Sequence, residues 1–398
     1  MLPVFLVFAV CAFASGFALR TIDPLVIPIA HHFAVAPSTA ALLNTGYALP
    51  YALAQPFLGP LGDRFGKARC IQVCVAGLAA MLLLGALAPS FALLVATRVA
   101  AGVFAGGLIP LVLAGIGDRF DMRDRQVMIG RMLFAIISGQ MLGSIVSGFA
   151  NDAFGWHSAL AIGAAIGALA TAVAWGAMPR GTATAASRDE GSFADLYARV
   201  LVNPKAPWLI GGVAVEGAFF YGLFPHMGEL LLATASPGDG SIARITGVVL
   251  GAFGVGGLLY AAGVRAFLRA FGVRRMCLIG AGGGAAAYVV LAFVPSWWAA
   301  ALAMFVAGIS FYMLHNSMQT EATELAPSAR GSAVALFACG FFIGQGLGPP
   351  IFAALLHGIG PRAALVAVAI AIVVLGHTVV TRVIDRRVIA GTAGRAPR

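Results

Sequence analysis

Apolar stretches long enough to cross a bilayer recur along this chain from end to end. They run at roughly 4–28, 38–58, 69–88, 91–115, 127–150, 156–177, 207–232, 243–266, 274–294, 296–320, 331–355 and 361–384. A membrane-spanning helix needs roughly 20 predominantly apolar residues, so each run is a candidate span and the total is twelve. Composition agrees: 60% of the 398 residues are hydrophobic and 10% charged, against about 25% charged in soluble domains. The runs do not alternate in polarity as barrel strands do. Expected is an all-α polytopic membrane protein with the bilayer as its permanent partner.

A net charge of +10 invites a nucleic-acid reading, but the distribution opposes it. Apart from Arg20, Arg98, Arg244 and Arg362, every Lys and Arg lies in alternate connections or in the C-terminal tail. Short cytoplasmic loops attract this bias, so both termini are expected in the cytoplasm and no nucleic acid is expected as partner. Residues 1–18 contain small residues but no Lys or Arg ahead of the apolar region, and cleavage as a signal peptide is not expected. Five cysteines, odd in number and in or beside spans, read as buried bystanders. No metal set and no cofactor are expected.

The chain also repeats itself. Gly139 and Gly143 in span five recur as Gly344 and Gly348 in span eleven, and Phe65-Gly66 is echoed by Phe271-Gly272. A polar stretch from Pro179 to Lys205 separates the halves. The expected organisation is a six-helix bundle over 1–178, a linker over 179–206, a second six-helix bundle over 207–385 and a tail over 386–398. The two bundles are pseudo-symmetric, and a repeated unit of this kind places a substrate site midway through the membrane, between the repeats.

Several short stretches are more particular. GPLGDRFGKAR (59–69) combines Gly59, Asp63, Arg64, Gly66 and Lys67 in a tight turn between spans two and three. ATRVAAGVFAGG (96–107) carries Arg98 in span four, and SGQMLGSIVSG (138–148) carries Gly139, Gly143 and Gly148 in span five. TIDPLVIPIAHHF (21–33) ends span one. Together they resemble the major facilitator superfamily, and within it the drug:proton antiporter or exporter branch. Ala68 stands where a second basic residue is common, Arg269 where the repeat would echo Asp63, and Ser144 where exporters usually have proline. The resemblance implies alternating access by two rocking bundles. It implies that Asp63 latches the cytoplasmic side, that the glycine faces of spans five and eleven let the bundles slide, and that Arg98 takes part in proton coupling.

Ionisable groups inside a membrane are costly and are functional candidates by default. Glu216, in GGVAVEGAFFYG, falls near mid-span with small residues around it. It reads as a proton carrier or cation counter-charge on a cavity wall, or else as a structural carboxylate bonded to a neighbouring helix. Arg20 and Asp23, three apart, form either an internal ion pair or a gate. Asp152 and Glu229 sit near span ends, where solvation suffices. Asn44, Tyr47, Gln140, Phe220, Tyr221, His315, Asn316 and Gln319 are cavity candidates, although a lone histidine is more often a packing residue.

The expected function is secondary active transport, proton-coupled export of small amphipathic molecules (drugs or metabolites) by a monomer in a bacterial inner membrane, with the proton gradient as energy source. The alternative is uptake or exchange of a small metabolite. A transport-inactive sensor lacks a soluble signalling domain in this sequence, and a polytopic enzyme lacks a phosphate loop, zinc motif or serine elbow. No enzyme activity is expected.

Overall fold

The computed structural model describes residues 2–119, 122–178, 193–232, 240–294, 296–326 and 329–384. The first part of the linker, 179–192, and the tail beyond Ile384, with the basic residues they carry, lie outside the described residues. So does the side chain of Asp63.

Among the described residues the secondary structure is all helical, without strands. The helices are α1 (Leu2–Arg20), α2 (Val26–His32), α3 (Pro37–Phe65), α4 (Lys67–Ala86), α5 (Phe91–Arg119), α6 (Met122–Phe154), α7 (Trp156–Ala177), α8 (Phe193–Leu201), α9 (Ala206–Gly222), α10 (Met227–Leu231), α11 (Ile242–Phe293), α12 (Trp297–Ala322), α13 (Arg330–Ile359) and α14 (Pro361–Val379). Ten of the described helical segments are long and apolar enough to cross a membrane. One of them, α11, is 52 residues long and contains Gly272 at φ 67°, ψ 166°, a break that divides it into spans eight and nine. Helix α3 adds the last crossing. Asn44, Tyr47, Pro50, Tyr51 and Gln55 make it less apolar than its neighbours. The twelve expected crossings are present.

Two of them are not continuous. Span one is α1, a 3-10 turn at Asp23–Leu25 and α2; span seven is α9, a 3-10 turn at Phe224–His226 and α10. Each turn contains a proline, Pro24 or Pro225, which lacks an N–H and cannot continue the α ladder. The breaks are 201 positions apart (225 − 24 = 201), so the same irregularity recurs in both repeats. Helix starts repeat as well. Gly155 (φ 80°) precedes α7 and Gly360 (φ 82°) precedes α14, 205 apart (360 − 155 = 205), each in a conformation open mainly to glycine.

Each half has its own core. One cluster of buried side chains runs from Val7 to Met178, the other from Val200 to Val383. Inside the linker expected over 179–206, residues Phe193–Leu201 form the short helix α8, whose Val200 is buried in the second core. Asn203 Nδ2 donates to Leu325 O at 2.7 Å, and Lys205 pairs with Glu321 at 3.8 Å, fastening the end of the linker to α12 and the turn that follows it.

The glycine faces behave differently from expectation. A Cβ on Gly139 or Gly143 would run into the backbone of Phe13 or Phe17 on α1. One on Gly344 or Gly348 would run into Ala214 or Ala218 on α9. These glycines therefore bring α6 to α1 and α13 to α9 within their own bundles, not one bundle to the other. Lipid tails supply no hydrophobic force between helices, so close van der Waals approach must hold each bundle together. Gly148 alone of the five faces across, against the backbone of Ala243 and Arg244 on α11.

Candidate functional site

A cavity of about 380 Å³ lies between the halves. Its walls come from α1, α3, α5 and α6 on one side and α9, α11, α12 and α13 on the other. The lining of α6 (Ile129 to Gln140) and of α13 (Val334 to Phe342) belongs to the halves of those helices nearest Lys67, Arg69 and Arg330. That is the basic end of the molecule, and the cavity lies toward it. At the other end the halves touch. Thr45 Oγ1 donates to Gly346 O at 2.7 Å, Arg20 Nη2 to Gln345 Oε1 at 3.3 Å, and Arg244 Nε lies 3.7 Å from Asp152 Oδ2. Ser241, which caps α11 by accepting from Arg244 N, also bonds Asp152 through its hydroxyl.

The wall is mostly aromatic: Tyr51, Tyr221, Tyr260, Phe311, Tyr312, Phe337, Phe341 and Phe342 all face the cavity. Its polar groups are few, as in most small-molecule sites. Gln140, Tyr221, His315, Asn316 and Gln319 line it as expected. Asn316 Nδ2 donates to Tyr260 Oη at 2.8 Å, which fixes the amide. Asn44, Tyr47 and Phe220 are not among the lining residues. Phe220 is buried between Phe311 (5.4 Å between ring centroids) and Tyr288 (6.0 Å) in the second core. Tyr47 lies under Arg98, and Asn44 is buried on the same helix.

Glu216 is also absent from the cavity wall. The space expected beside Gly217 is filled by α13, with Gln345 N 3.0 Å and a Phe341 side-chain carbon 3.2 Å from where a Cβ on Gly217 would stand. The carboxylate is 0% exposed, and its Oε2 lies 2.7 Å from His315 Nδ1 on α12. An unpaired charge at that depth would be very costly. The partner is 99 residues away in sequence, and no local pattern marks it. Phe311, Phe337 and Phe341 pack on the imidazole at 5.1, 5.3 and 5.0 Å between centroids. His315 therefore does more than fill space: it stands between a sealed acid and the cavity.

A second buried group surrounds the break in span one. Arg20 Nη1 lies 3.5 Å from Asp23 Oδ2, both side chains almost wholly buried. The Arg20 guanidinium also stacks 3.9 Å over the Tyr221 ring and 4.9 Å from Phe224, so this ion pair reaches into the other half. Arg98, 1% exposed, donates from Nη1 to Ala18 O at 3.2 Å and lies 4.1 Å over the Tyr47 ring. Its charge and that of Arg20 both act on Asp23. Two cations and one carboxylate thus share one buried compartment.

At the basic end, Gly66 has φ 90° and immediately precedes α4. Lys67 Nζ lies 2.7 Å from Asp118 Oδ2, tying the turn to the end of α5. Arg64 is exposed beside Phe65, and Gly59 lies on α3. Asp152 and Glu229 are partly exposed, in keeping with solvated span ends, and each also has a partner: Asp152 the Ser241–Arg244 corner, Glu229 the imidazole of His226 at 3.9 Å. Among the described residues no group of three His, Cys, Asp or Glu side chains is placed to hold a metal.

The architecture has known counterparts. A crystal structure of a substituted form of the nucleoside transporter NupG superposes with a TM-score of 0.79 at 14% identity, covering 95% of this chain and 99% of that one. A triacylglyceride transporter of Mycobacteroides abscessus is 38% identical over 102 residues, 26% of this chain and 19% of that protein. The multidrug efflux pump LfrA of Mycolicibacterium smegmatis is 35% identical over 129 residues, 32% of this chain and 26% of the pump. The chain thus spans about a fifth to a quarter of the length of these two relatives. The profile described as Major Facilitator Superfamily matches residues 8–268 and 240–396. With twelve crossings in two repeated halves around a cavity, the chain belongs to the major facilitator superfamily.

Proposed function

We propose that this transporter exports small amphipathic molecules by alternating access, with protons moving the other way. The observation that carries the reading is the cavity itself: lying toward the basic end, bridged over at the other, walled by aromatic rings, and backed by an acid whose imidazole partner lines it. Aromatic faces accept apolar and cationic surface without demanding one shape. Gln140, Asn316 and Gln319 supply orienting hydrogen bonds. The positive-inside bias makes the basic end cytoplasmic, with both termini there, in a bacterial inner membrane. The cavity then loads from the cytoplasm. A multidrug pump and a triacylglyceride carrier among the partial relatives favour amphipathic cargo over small polar metabolites.

Two acids serve as proton sites in this reading: Glu216 beside His315, and Asp23 between Arg20 and Arg98. Protonating Asp23 releases its arginine partners, and buried ion pairs are sensitive to losing one member; protonating Glu216 removes the charge that the imidazole bonds. The shift in partners biases which face of the molecule is closed.

The test is flux in proteoliposomes under an imposed pH gradient, with ethidium and a neutral amphipathic dye as probes. Uphill movement of a dye against protons, collapsing on addition of a protonophore, is the expected result. Dye flux indifferent to the gradient would overturn proton coupling, and gradient-driven flux in the same direction as protons would favour uptake.

A further inference from the structure

Glu216 is sealed from the surface, and its partner His315 lines the cavity. Behind Glu216, α13 closes on Gly217, and Leu375 and Val379 of α14 approach Gly212 within 3.4 and 3.7 Å of a Cβ position. Its Oε1 has no hydrogen-bond partner, and its Oε2 has the imidazole. The ionisable or charged groups on the packed elements are few. Tyr221 is on the same span, and Tyr260 and Cys277 are on α11. Tyr312 is on α12, and Arg20 on α1 is engaged over the Tyr221 ring. From α13 the pair meets Phe337 and Phe341, and the histidine of α14, His377, is exposed. Among the described residues, His315 is the ionisable side chain that both bonds Glu216 and lines the cavity, with 17% of its side chain exposed.

We infer that His315 relays protons between cavity water and the sealed Glu216 carboxylate, so that the acid titrates only through the imidazole. The inference rests on the proton-coupled reading above and adds the path. A hydronium ion in the cavity gives its proton to Nε2 of neutral His315, leaving water. The Nδ1–H bond then breaks as an O–H bond forms at Glu216 Oε2. The products are a neutral carboxylic acid and the Nε2–H tautomer of a neutral imidazole. One proton has entered and one carboxylate charge has gone. Reversal uses the same two bonds, Oε2–H to Nδ1 and Nε2–H to water. Because the cavity alternates between sides, one relay serves both loading and release. The three phenylalanines hold the ring in register with Oε2, and their π faces temper the passing imidazolium charge.

The relay is read without any transport substrate. Purified protein in lipid is followed by infrared spectroscopy for the protonated-carboxyl band that Glu216→Gln removes, and the sample is moved into D2O. In the wild type the band should shift quickly. In His315→Gln, whose amide still donates to Oε2 but cannot carry a proton through, the band should persist and exchange at least about a hundredfold more slowly. That is the lower end of what a positioned proton-transfer group contributes. His315→Phe, which keeps the stacked ring, should behave alike. Wild-type exchange in both variants, or no band assignable to Glu216 at any pH, would overturn the relay while leaving export untouched. Slow exchange in the variants together with full pH-driven ethidium flux in Glu216→Gln would instead keep the relay and remove Glu216 from coupling.

Discussion

Arg20 and Tyr221 occupy matching places four residues before the prolines that interrupt spans one and seven, and they meet face to face. The guanidinium carbon is 3.9 Å from the ring centroid. The irregularity shared by the two repeats thus becomes a contact between them, on the closed side of the cavity. A cation over an aromatic ring in a desolvated place contributes about 2 kcal/mol. Arg20→Lys keeps the charge but loses the planar fork that stacks on Tyr221 while reaching Gln345. It should weaken the closure. With Ser147→Cys as reporter on the closed side in an otherwise cysteine-free chain, maleimide labelling should speed up several-fold. Unchanged labelling would show that the stack does not hold the halves together.

Thr45 makes a second bridge for a reason found in the partner helix. Pro350 has no N–H, so the carbonyl of Gly346 loses its helical donor, and Thr45 Oγ1 supplies one at 2.7 Å from the other half. Interhelical hydrogen bonds in membranes average about 0.6 kcal/mol, which corresponds to roughly a threefold change in an equilibrium. Thr45→Val should raise reporter labelling by that factor. Adding Pro350→Ala returns a donor to Gly346 O, so in that background Thr45→Val should have no further effect. Additivity of the two changes would refute the pairing.

Asp152 closes the rim from α6 by meeting the start of α11. The pair is partly exposed, 24% for Asp152 and 37% for Arg244, so it contributes at most about 1 kcal/mol and is screened by salt. Labelling of the reporter in wild type should rise modestly with ionic strength. Asp152→Asn should start from the raised rate and lose the salt response. A variant that still responds to salt would locate the sensitivity elsewhere.

Gly344→Leu should cost stability before it costs transport chemistry, because Gly344 packs α13 on α9 inside one bundle. Overpacking of this kind costs about 1–3 kcal/mol, and the thermal midpoint in detergent should fall accordingly. Gly331, with nothing within 4 Å of its Cβ position, is the control. Gly331→Leu should melt with the wild type. Equal midpoints for both variants would mean that the α9–α13 seam tolerates bulk.

For Glu216→Gln, pH-gradient-driven ethidium flux should disappear while expression and melting stay near wild type. Counterflow exchange needs no net proton movement and should persist, since the carboxyl lies behind the wall and not against cargo. Loss of counterflow as well would place Glu216 in substrate binding.

The number of crossings, the two-fold repeat and the basic end were legible from the chain because each depends on local properties. A span is a run of apolar residues, an orientation signal is a count of charges in short loops, and Gly66 or Gly272 marks a turn by lacking a Cβ. The costly residues were equally visible, since Glu216, Asp23, Arg20 and Arg98 stand out against an apolar background. Their partners were not. His315 meets Glu216 from 99 positions away, Thr45 meets Gly346 from 301, and Arg20 meets Tyr221 through the packing of two interrupted helices. The glycines of spans five and eleven announced close packing, but only the fold revealed that their neighbours are spans one and seven of the same bundles. Hydropathy decides that a helix lies in the membrane, because burial in lipid depends on composition along one helix. Which face of it meets which neighbour is decided by steric fit and by the need to pair each buried polar atom, and both depend on where the other helices stand.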